Sequence, residues 1–151
     1  MHRIRQLVVF ALDEQRFAVP LQAVERVVRA VEITPLPDAP EFVLGVINVQ
    51  GQVVPVFDVR GRFRLPQREI ELNDQFIIAQ NSRRMVALVV DAVLGVVECA
   101  EAEVTTAEQI LPGLHCVTGV LKRDNGMILI HDRDEFLSLQ AAAALEDAMP
   151  K

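Results

Sequence analysis

The stretch at residues 45–60, "GVINVQGQVVPVFDVR", is the most strongly patterned part of this sequence. Its two glycines, amide pair and proline within a valine-rich run fit a phosphate loop, a catalytic turn or a binding hairpin. A Walker loop needs Lys and then Ser or Thr directly after its second glycine, but Gln52 and Val53 follow Gly51. A dinucleotide-binding glycine motif must open a helix, whereas this run continues as a predicted strand. The pattern therefore does not favour nucleotide binding.

An exposed hairpin is the preferred interpretation of this stretch. Strand alternation places Asn48 and Gln50 on the same face as Val46, just before a turn at Gln50 and Gly51. Pro55 lacks an N–H and is expected at a sheet edge or a bulge. After the turn, alternation predicts one common face for Val53, Pro55, Phe57 and Val59. An amide-bearing edge suits the docking of a protein partner, and an ordinary hairpin with a solvated tip accounts for the same residues equally well.

The chain also resembles itself, which predicts a duplication. Residues 6–28 align without gaps to residues 75–97, and residues 45–60 correspond to residues 119–134 in the same order. Each half contains four predicted strands in two pairs joined by a connection. Since either half alone would have a thin core, we expect the two halves to pack together over shared apolar surface.

These repeats predict one domain over residues 1–151. It is built of two β subdomains, with repeats at about 6–60 and 75–137 between which strands can be exchanged. The fold class is therefore mainly β, with short helices and a C-terminal amphipathic helix at 134–149.

Local signals place the individual elements. Asp38 is expected to cap a short helical turn through Phe42, and a short helix is expected to end at Pro112 and Gly113. Valine-rich runs on either side of polar turns predict two hairpins, at 7–12 with 16–21 and at 76–80 with 85–90.

Composition excludes some partners. The chain has 15 basic and 21 acidic residues, a net charge of -6, and no Trp or Tyr to stack on bases, so nucleic acid is not an expected partner. Its apolar runs are well short of the roughly 18 to 20 residues that span a bilayer. The N-terminus lacks the apolar core and cleavage site of a signal peptide. A cytoplasmic protein without direct membrane insertion is the expectation.

No group of residues suggests catalysis, a metal site or a cofactor. Cys99 and Cys116 lack zinc-ligand spacing and are expected to be plain reduced thiols. His115 adjoins Cys116, but neighbours on a strand point to opposite faces and cannot form an activating hydrogen bond. Asp58 and Asp132 occupy equivalent repeat positions beside arginines, where strand-end solvation or local capping explains them. The chain is predicted not to be an enzyme.

Taken together, several segments resemble the CheW-like chemotaxis coupling proteins. The resemblance runs from about residue 6 to 138. It implies two SH3-like β-barrel subdomains packed side by side and a non-enzymatic adaptor that needs no cofactor. The segments, in order, are "FAVPLQAVERVV", "PLPDAPEFVLGVINVQGQVVPVFDVR", "VALVVDAVLGVV", "TAEQI" and "GVLKRDNGMILIHDRDEFLS".

The resemblance also implies partners and a place in the cell. Such proteins bind the cytoplasmic tip of chemoreceptors near the junction of the subdomains, and they bind the regulatory domain of the chemotaxis histidine kinase. They are cytoplasmic and associated with membrane-bound receptor arrays, and we expect any self-association to be weak. Carried over to this chain, the receptor contact falls on Val24, Gly45, Asn48, Gln50 and Gly51.

Two residues depart from the family pattern. Members usually have arginine at the position of Gln50 and glutamate at the position of Arg26, where the two can pair across the binding face. Glutamine keeps only a neutral amide in place of the guanidinium fork. The departures suggest a divergent coupling protein of a pili or surface-motility chemosensory system. A small-ligand-binding β-barrel is the other alternative, and it would need polar groups converging in a cavity.

Overall fold

A computed structural model describes residues 4–40, 42–62, 65–80, 84–112, 117–123 and 126–131. This part of the chain is mainly β, with two short α-helices, α1 (Val59–Arg62) and α2 (Ala107–Ile110). Within it, no helix has the length and apolar character needed to cross a membrane. The strands are β1 (Ile4–Leu12), β2 (Gln15–Pro20), β3 (Val24–Arg29), β4 (Val43–Val49), β5 (Gln52–Phe57), β6 (Gln75–Gln80), β7 (Met85–Val90), β8 (Ala92–Ala100), β9 (Val104–Thr106), β10 (Val117–Arg123) and β11 (Gly126–His131).

The strands of the described chain form two sheets of similar topology, one of six strands and one of five. The first sheet has the order β8-β1-β2-β11-β10-β9, and the second sheet has the order β3-β6-β7-β5-β4. Strands β2 and β11 pair in parallel in the first sheet, as β5 and β7 do in the second, and the other pairs are antiparallel. Each sheet thus combines a hairpin from one half of the sequence with a glycine-containing hairpin from the other half. The common strand order supports the duplication, which stays a prediction.

The central strands of both sheets are buried on two faces. On β1, Leu7 and Val9 belong to a core of the first sheet alone, while Val8 and Phe10 belong to a central core between the sheets. The second sheet likewise contributes to the central core and to a core of its own. Burial on both faces explains the continuous apolar runs of the sequence, because neither face of these strands meets water. Residues of the central core include Leu12, Phe17, Val19, Val43, Phe57, Ile77 and Leu88.

Local prediction succeeds for the two hairpins and for the short helix that ends before Pro112. Both predicted hairpins form, as β1 with β2 and as β6 with β7. Helix α2 begins after Thr106, whose hydroxyl accepts a hydrogen bond from the Gln109 N–H at 3.3 Å, while the Gln109 side chain accepts from the Thr106 N–H at 2.9 Å. This reciprocal pair is a capping box. The helix ends at Ile110, before Pro112, in agreement with the prediction.

The predicted helical turn at Asp38 is wrong. Residues 35–40 and 42 contain no helix, and Asp38 has a left-handed φ of 60° within a turn. Pro37 and Pro40 disfavour helical geometry in the residues before them, so the prolines outweigh the capping tendency of Asp38. The predicted helix at 134–149, together with the His115–Cys116 pair and Asp132, lies outside the described residues.

Pro55 does not lie at a sheet edge, because β5 runs between β4 and β7. It is buried opposite Val46, whose N–H and C=O both bond to Thr34 at 2.9 Å, away from β5. The Val46–Pro55 pair therefore needs no hydrogen bond from Pro55. Pairing with β7 begins only at Val56, so the missing N–H interrupts neither ladder.

The predicted common face of β5 fits Phe57, which packs in the central core while Val54 and Val56 pack in the core of the second sheet, and it fails at Val59, which lies beyond the strand. Val53 is 55% exposed, Phe57 is fully buried, and Val59 lies in α1. The strand passes from the solvated end of its hairpin into the centre of the molecule. There, residues on both faces of the strand are covered, so buried and exposed residues no longer alternate.

Candidate functional site

The tip of the β4–β5 hairpin is a two-residue turn. Val49 pairs with Gln52, and the intervening Gln50 and Gly51 have φ values of 50° and 84°. Positive φ at both residues is typical of a type I′ turn, whose twist matches that of the flanking strands. The Asn48 side-chain Oδ1 accepts a hydrogen bond from the Gly51 N–H at 2.7 Å. The Gln50 side chain is exposed at the tip of this turn.

Gly45 is buried and cannot itself present a surface to a partner. It follows a register shift in the β4–β5 ladder and has a φ of 148°. A Cβ at this position would collide with the Thr34 carbonyl oxygen and lie 2.7 Å from Cγ2 of Ile33. The glycine therefore lets the preceding segment approach β4 and pair with Val46, so that its role is to shape the outer strand of the second sheet.

Val24 and Arg26 lie on β3, at the opposite end of the second sheet's strand order from β4. Val24 is half-buried against the central core, whereas Arg26 is exposed. Strands β3 and β4 both contribute to the core of the second sheet, through Val28 and Ile47 respectively. The predicted site residues thus form two groups, one on the hairpin and one on β3. Within the described chain no hydrogen bond or ion pair joins Arg26 to Gln50.

A cluster of five charged residues joins the β1–β2 turn to the second sheet. Nη2 of Arg60, in α1, lies 2.8 Å from Oδ1 of Asp13 and donates to both carboxylate oxygens of Asp91 at 2.7 and 2.9 Å. The Asp13 N–H also donates to Asp91, at 2.6 Å. Arg68 forms a forked pair with Asp74 at 2.7 and 2.8 Å and reaches Asp91 at 2.6 Å. We call these five residues the charge cluster.

Pairing favours the charged forms of Asp91 and Arg68. Burial raises the pKa of Asp91, but the hydrogen bonds from Arg60, the Asp13 N–H and Arg68 outweigh it, so its pKa lies below the ordinary value. Hydrogen bonding to Asp74 raises the pKa of Arg68 above its ordinary value. Since the Arg60 side chain is only 8% exposed, its positive charge depends on these carboxylates for solvation.

The sequence predicts only the local capping at Asp58, which lies beside the charge cluster. Asp58 accepts a hydrogen bond from the Arg60 N–H at 3.0 Å and another from the Gln67 side chain at 3.1 Å, which is the predicted local capping. Asp58 is nevertheless buried and not solvated at the strand end. The partners of the Arg60 guanidinium, Asp13 and Asp91, come from distant parts of the chain, and no spacing in a single sequence marks them.

Comparison with known proteins now identifies the family. A family model described as a CheW-like domain matches residues 6–141. The chain belongs to the CheW-like family. It is 32% identical over 132 residues to the chemotaxis protein CheW of Rhizobium meliloti (strain 1021), covering 86% of this chain and 85% of that protein. It is also 31% identical over 86 residues to the protein FrzA of Myxococcus xanthus, covering 57% of this chain and 54% of that protein.

A solved structure extends the likeness to the fold. The crystal structure of the scaffolding protein TtCheW from Thermoanaerobacter tengcongensis matches with a TM-score of 0.80 and 30% identity. The match covers 90% of this chain and 94% of that chain. The predicted fold class is confirmed: this CheW-like chain is mainly β and has two SH3-like subdomains, which correspond to the first and second sheets.

A pocket of about 340 Å³ lies beside the charge cluster of this CheW-like domain. Its walls include the apolar residues Ile33, Leu44 and Val89 together with Arg68 and Asp74. Arg68 and Asp74 already bond to each other, so they do not converge on the space as a ligand site requires. Across the described parts of the chain, no three His, Cys, Asp or Glu residues are grouped to hold a metal ion.

Cys99 is a free thiol at the end of β8. It is 2% exposed, and burial raises its pKa above the ordinary value. Because the thiolate is the reactive form, a raised pKa makes this cysteine less nucleophilic. Its geometry agrees with the expected plain buried thiol.

Proposed function

We propose that this CheW-like protein is a non-enzymatic adaptor that couples chemoreceptors to a chemotaxis-type histidine kinase. The observation that carries the proposal is the match to a scaffolding protein over 90% of the chain, together with the family match over residues 6–141. The adaptor works in the cytoplasm, beside membrane-bound receptor arrays. It uses no cofactor, because its task is to hold two proteins together.

The receptor tip contacts the hairpin and β3, the two places where the site residues lie. Arg26 and Gln50 supply exposed polar side chains, and the half-buried Val24 supplies apolar surface next to Arg26. Gly45 and Gly51 support the contact through the backbone, since one makes room for the preceding segment and the other adopts the turn conformation. The kinase regulatory domain, being homologous, contacts exposed ends of the two subdomains.

Co-purification tests the adaptor function directly. Tagged protein, expressed in its own host, is expected to recover membrane chemoreceptors and a histidine kinase, identified by mass spectrometry. An untagged strain controls for non-specific recovery. Recovery of neither partner by the tagged protein would refute the coupling function.

Restoring the family charges should weaken binding to the protein's own receptor. The double variant Arg26→Glu with Gln50→Arg is expected to bind that receptor about tenfold less tightly, because the partner surface is adapted to the opposite arrangement of charge. Affinity is measured with the isolated cytoplasmic hairpin of a co-purified receptor.

A matched control uses the same strands. Arg29→Glu with Gln52→Arg makes the same changes of residue type at exposed positions of β3 and β5, and it is expected to bind like wild type. Equal affinity of the Arg26 and Gln50 variant and wild type, or an equal loss in both double variants, would contradict the assigned contact.

The same two departures support a narrower version of the function, in which the protein serves a divergent pili or surface-motility system. A receptor tip adapted to Arg26 and Gln50 would belong to a dedicated array. The receptors recovered by co-purification decide this point. Deletion of the gene is expected to impair surface movement while leaving swimming chemotaxis intact, and loss of swimming chemotaxis alone would contradict the narrower version.

A further inference from the structure

The acceptor atom of the Asn48 side chain is already engaged within the protein. Its Oδ1 accepts the Gly51 N–H at 2.7 Å, at the short end of the range for such hydrogen bonds. The bond spans the Gln50–Gly51 turn from the strand that enters it. The Asn48 side chain is thus bonded to the backbone N–H of Gly51, the residue that follows the exposed Gln50.

Gln50 has an unusual conformation for a residue with a side chain. Its φ of 50° lies in the left-handed region, which is unfavourable for residues other than glycine and persists only where the surroundings enforce it. Glutamine has no short side chain to stabilise this region itself, unlike asparagine or aspartate. The hydrogen bond from Gly51 to Asn48 supplies that support, because it fixes the peptide that follows Gln50.

We infer that Asn48 is a positioning residue, which holds the turn so that the Gln50 side chain points toward the receptor tip. The inference rests on the proposed coupling function and goes beyond it by separating two roles within the site. Gln50 is the specificity-determining contact. Asn48 acts through the backbone of the turn and does not touch the receptor.

The two roles predict different responses to conservative substitution. Asn48→Asp keeps an oxygen that accepts the Gly51 N–H but removes the amide donor. Asn48→Ala removes both. If Asn48 acts as an acceptor for the turn, the aspartate variant preserves receptor binding, whereas a direct contact through the amide donor would be lost in both variants.

A double-mutant cycle tests the positioning role. The probe is the isolated cytoplasmic hairpin of the receptor that co-purifies with this protein, and the variants are Asn48→Ala, Asn48→Asp, Gln50→Gly and Asn48→Ala with Gln50→Gly. Asn48→Ala is expected to weaken binding about fivefold to tenfold, in line with the loss of one hydrogen bond. Asn48→Asp should stay within about twofold of wild type when salt screens its added charge. In the Gln50→Gly background, Asn48→Ala should cause no further loss.

A second measurement follows the turn in the free protein. Hydrogen exchange of the Gly51 amide is expected to be faster in Asn48→Ala than in wild type and to remain slow in Asn48→Asp. Equal binding losses in the alanine and aspartate variants, additive losses in the cycle, or an unchanged Gly51 exchange rate in Asn48→Ala would overturn the positioning role. Lack of wild-type binding to every co-purified receptor hairpin would instead refute the coupling function, and the exchange rates would still report on the turn.

Discussion

Replacing Arg60 with methionine is expected to lower the free energy of unfolding by about 3 kcal/mol, which urea denaturation measures. Methionine keeps most of the apolar stem but removes the guanidinium that bonds to Asp13 and Asp91. Asp91 then remains partly buried with Arg68 as its remaining cationic partner. Removing one member of a buried ion pair costs more than the pair itself contributes, because the remaining charge loses its compensation.

Arg123→Met is the matched control for this substitution. Arg123 pairs with Glu103 at 3.1 Å, but their side chains are 31% and 46% exposed, so the loss is expected to stay below about 1 kcal/mol. Equal losses in the Arg60 and Arg123 variants would show that the charge cluster does not hold the sheets together.

Acid titration gives a second readout of Arg60. The pKa of Asp91 is lowered in the folded protein, so its contribution to stability is fully present above the ordinary carboxyl pKa and is lost as pH falls through the folded-state pKa. Wild type should therefore lose stability below about pH 4. The Arg60→Met variant should show a weaker dependence there, since its Asp91 has lost part of the stabilisation of the charged form.

Gly45→Ala is the other substitution with a large expected effect, a loss of about 3 kcal/mol in the free energy of unfolding. Alanine disfavours a φ of 148°, and its Cβ would meet the Thr34 carbonyl oxygen and Ile33. Neither obstacle is the flexible end of a long side chain, so relief requires the segment at Thr34 to move away from β4. Urea denaturation measures the loss, and hydrogen exchange of the Thr34 and Val46 amides shows whether the bridge opens.

Alanine substitutions at two other glycines distinguish the effect of steric overlap from the effect of an unfavourable φ. Gly61→Ala should change stability by less than about 1 kcal/mol, because no neighbouring atom lies within 4 Å of the added Cβ. Gly119, at the equivalent repeat position, has an ordinary φ, but its Cβ would lie 2.8 Å from the Thr105 carbonyl oxygen. The free energy of unfolding of the Gly119→Ala variant should fall by an amount between the losses of the Gly61→Ala and Gly45→Ala variants. A Gly45→Ala variant as stable as Gly61→Ala would refute the steric argument.

The successes and failures of sequence-based prediction follow the range of the interactions. The hairpins and the end of α2 before Pro112 were predicted correctly because the residues that specify them lie within a few positions of one another. Pro55 was expected at an edge or a bulge because its missing N–H is a local fact, whereas its position between two strands depends on the parallel pairing of β5 with β7. The predicted helical turn at Asp38 was wrong because the neighbouring prolines outweigh the capping tendency of this residue.

The candidate site shows the same division. The hairpin residues were singled out from spacing and from the family resemblance, and their part in receptor binding stays a prediction. The hydrogen bond of Asn48 and the blocked space at Gly45 were not predicted, because they appear only in three dimensions. The charge cluster was missed altogether.

The sequence by itself determined the strand pairs joined by short turns, the glycine at the hairpin tip and the membership of the CheW-like family, because these depend on residues close together in the chain or on the order of its motifs. Only the tertiary structure decided which strands share a sheet, which faces are buried and where Arg60 finds its partners. Those features depend on contacts between residues far apart in sequence. Such contacts form when the two sheets pack over the central core, which brings Asp13 and Asp91 to the same guanidinium.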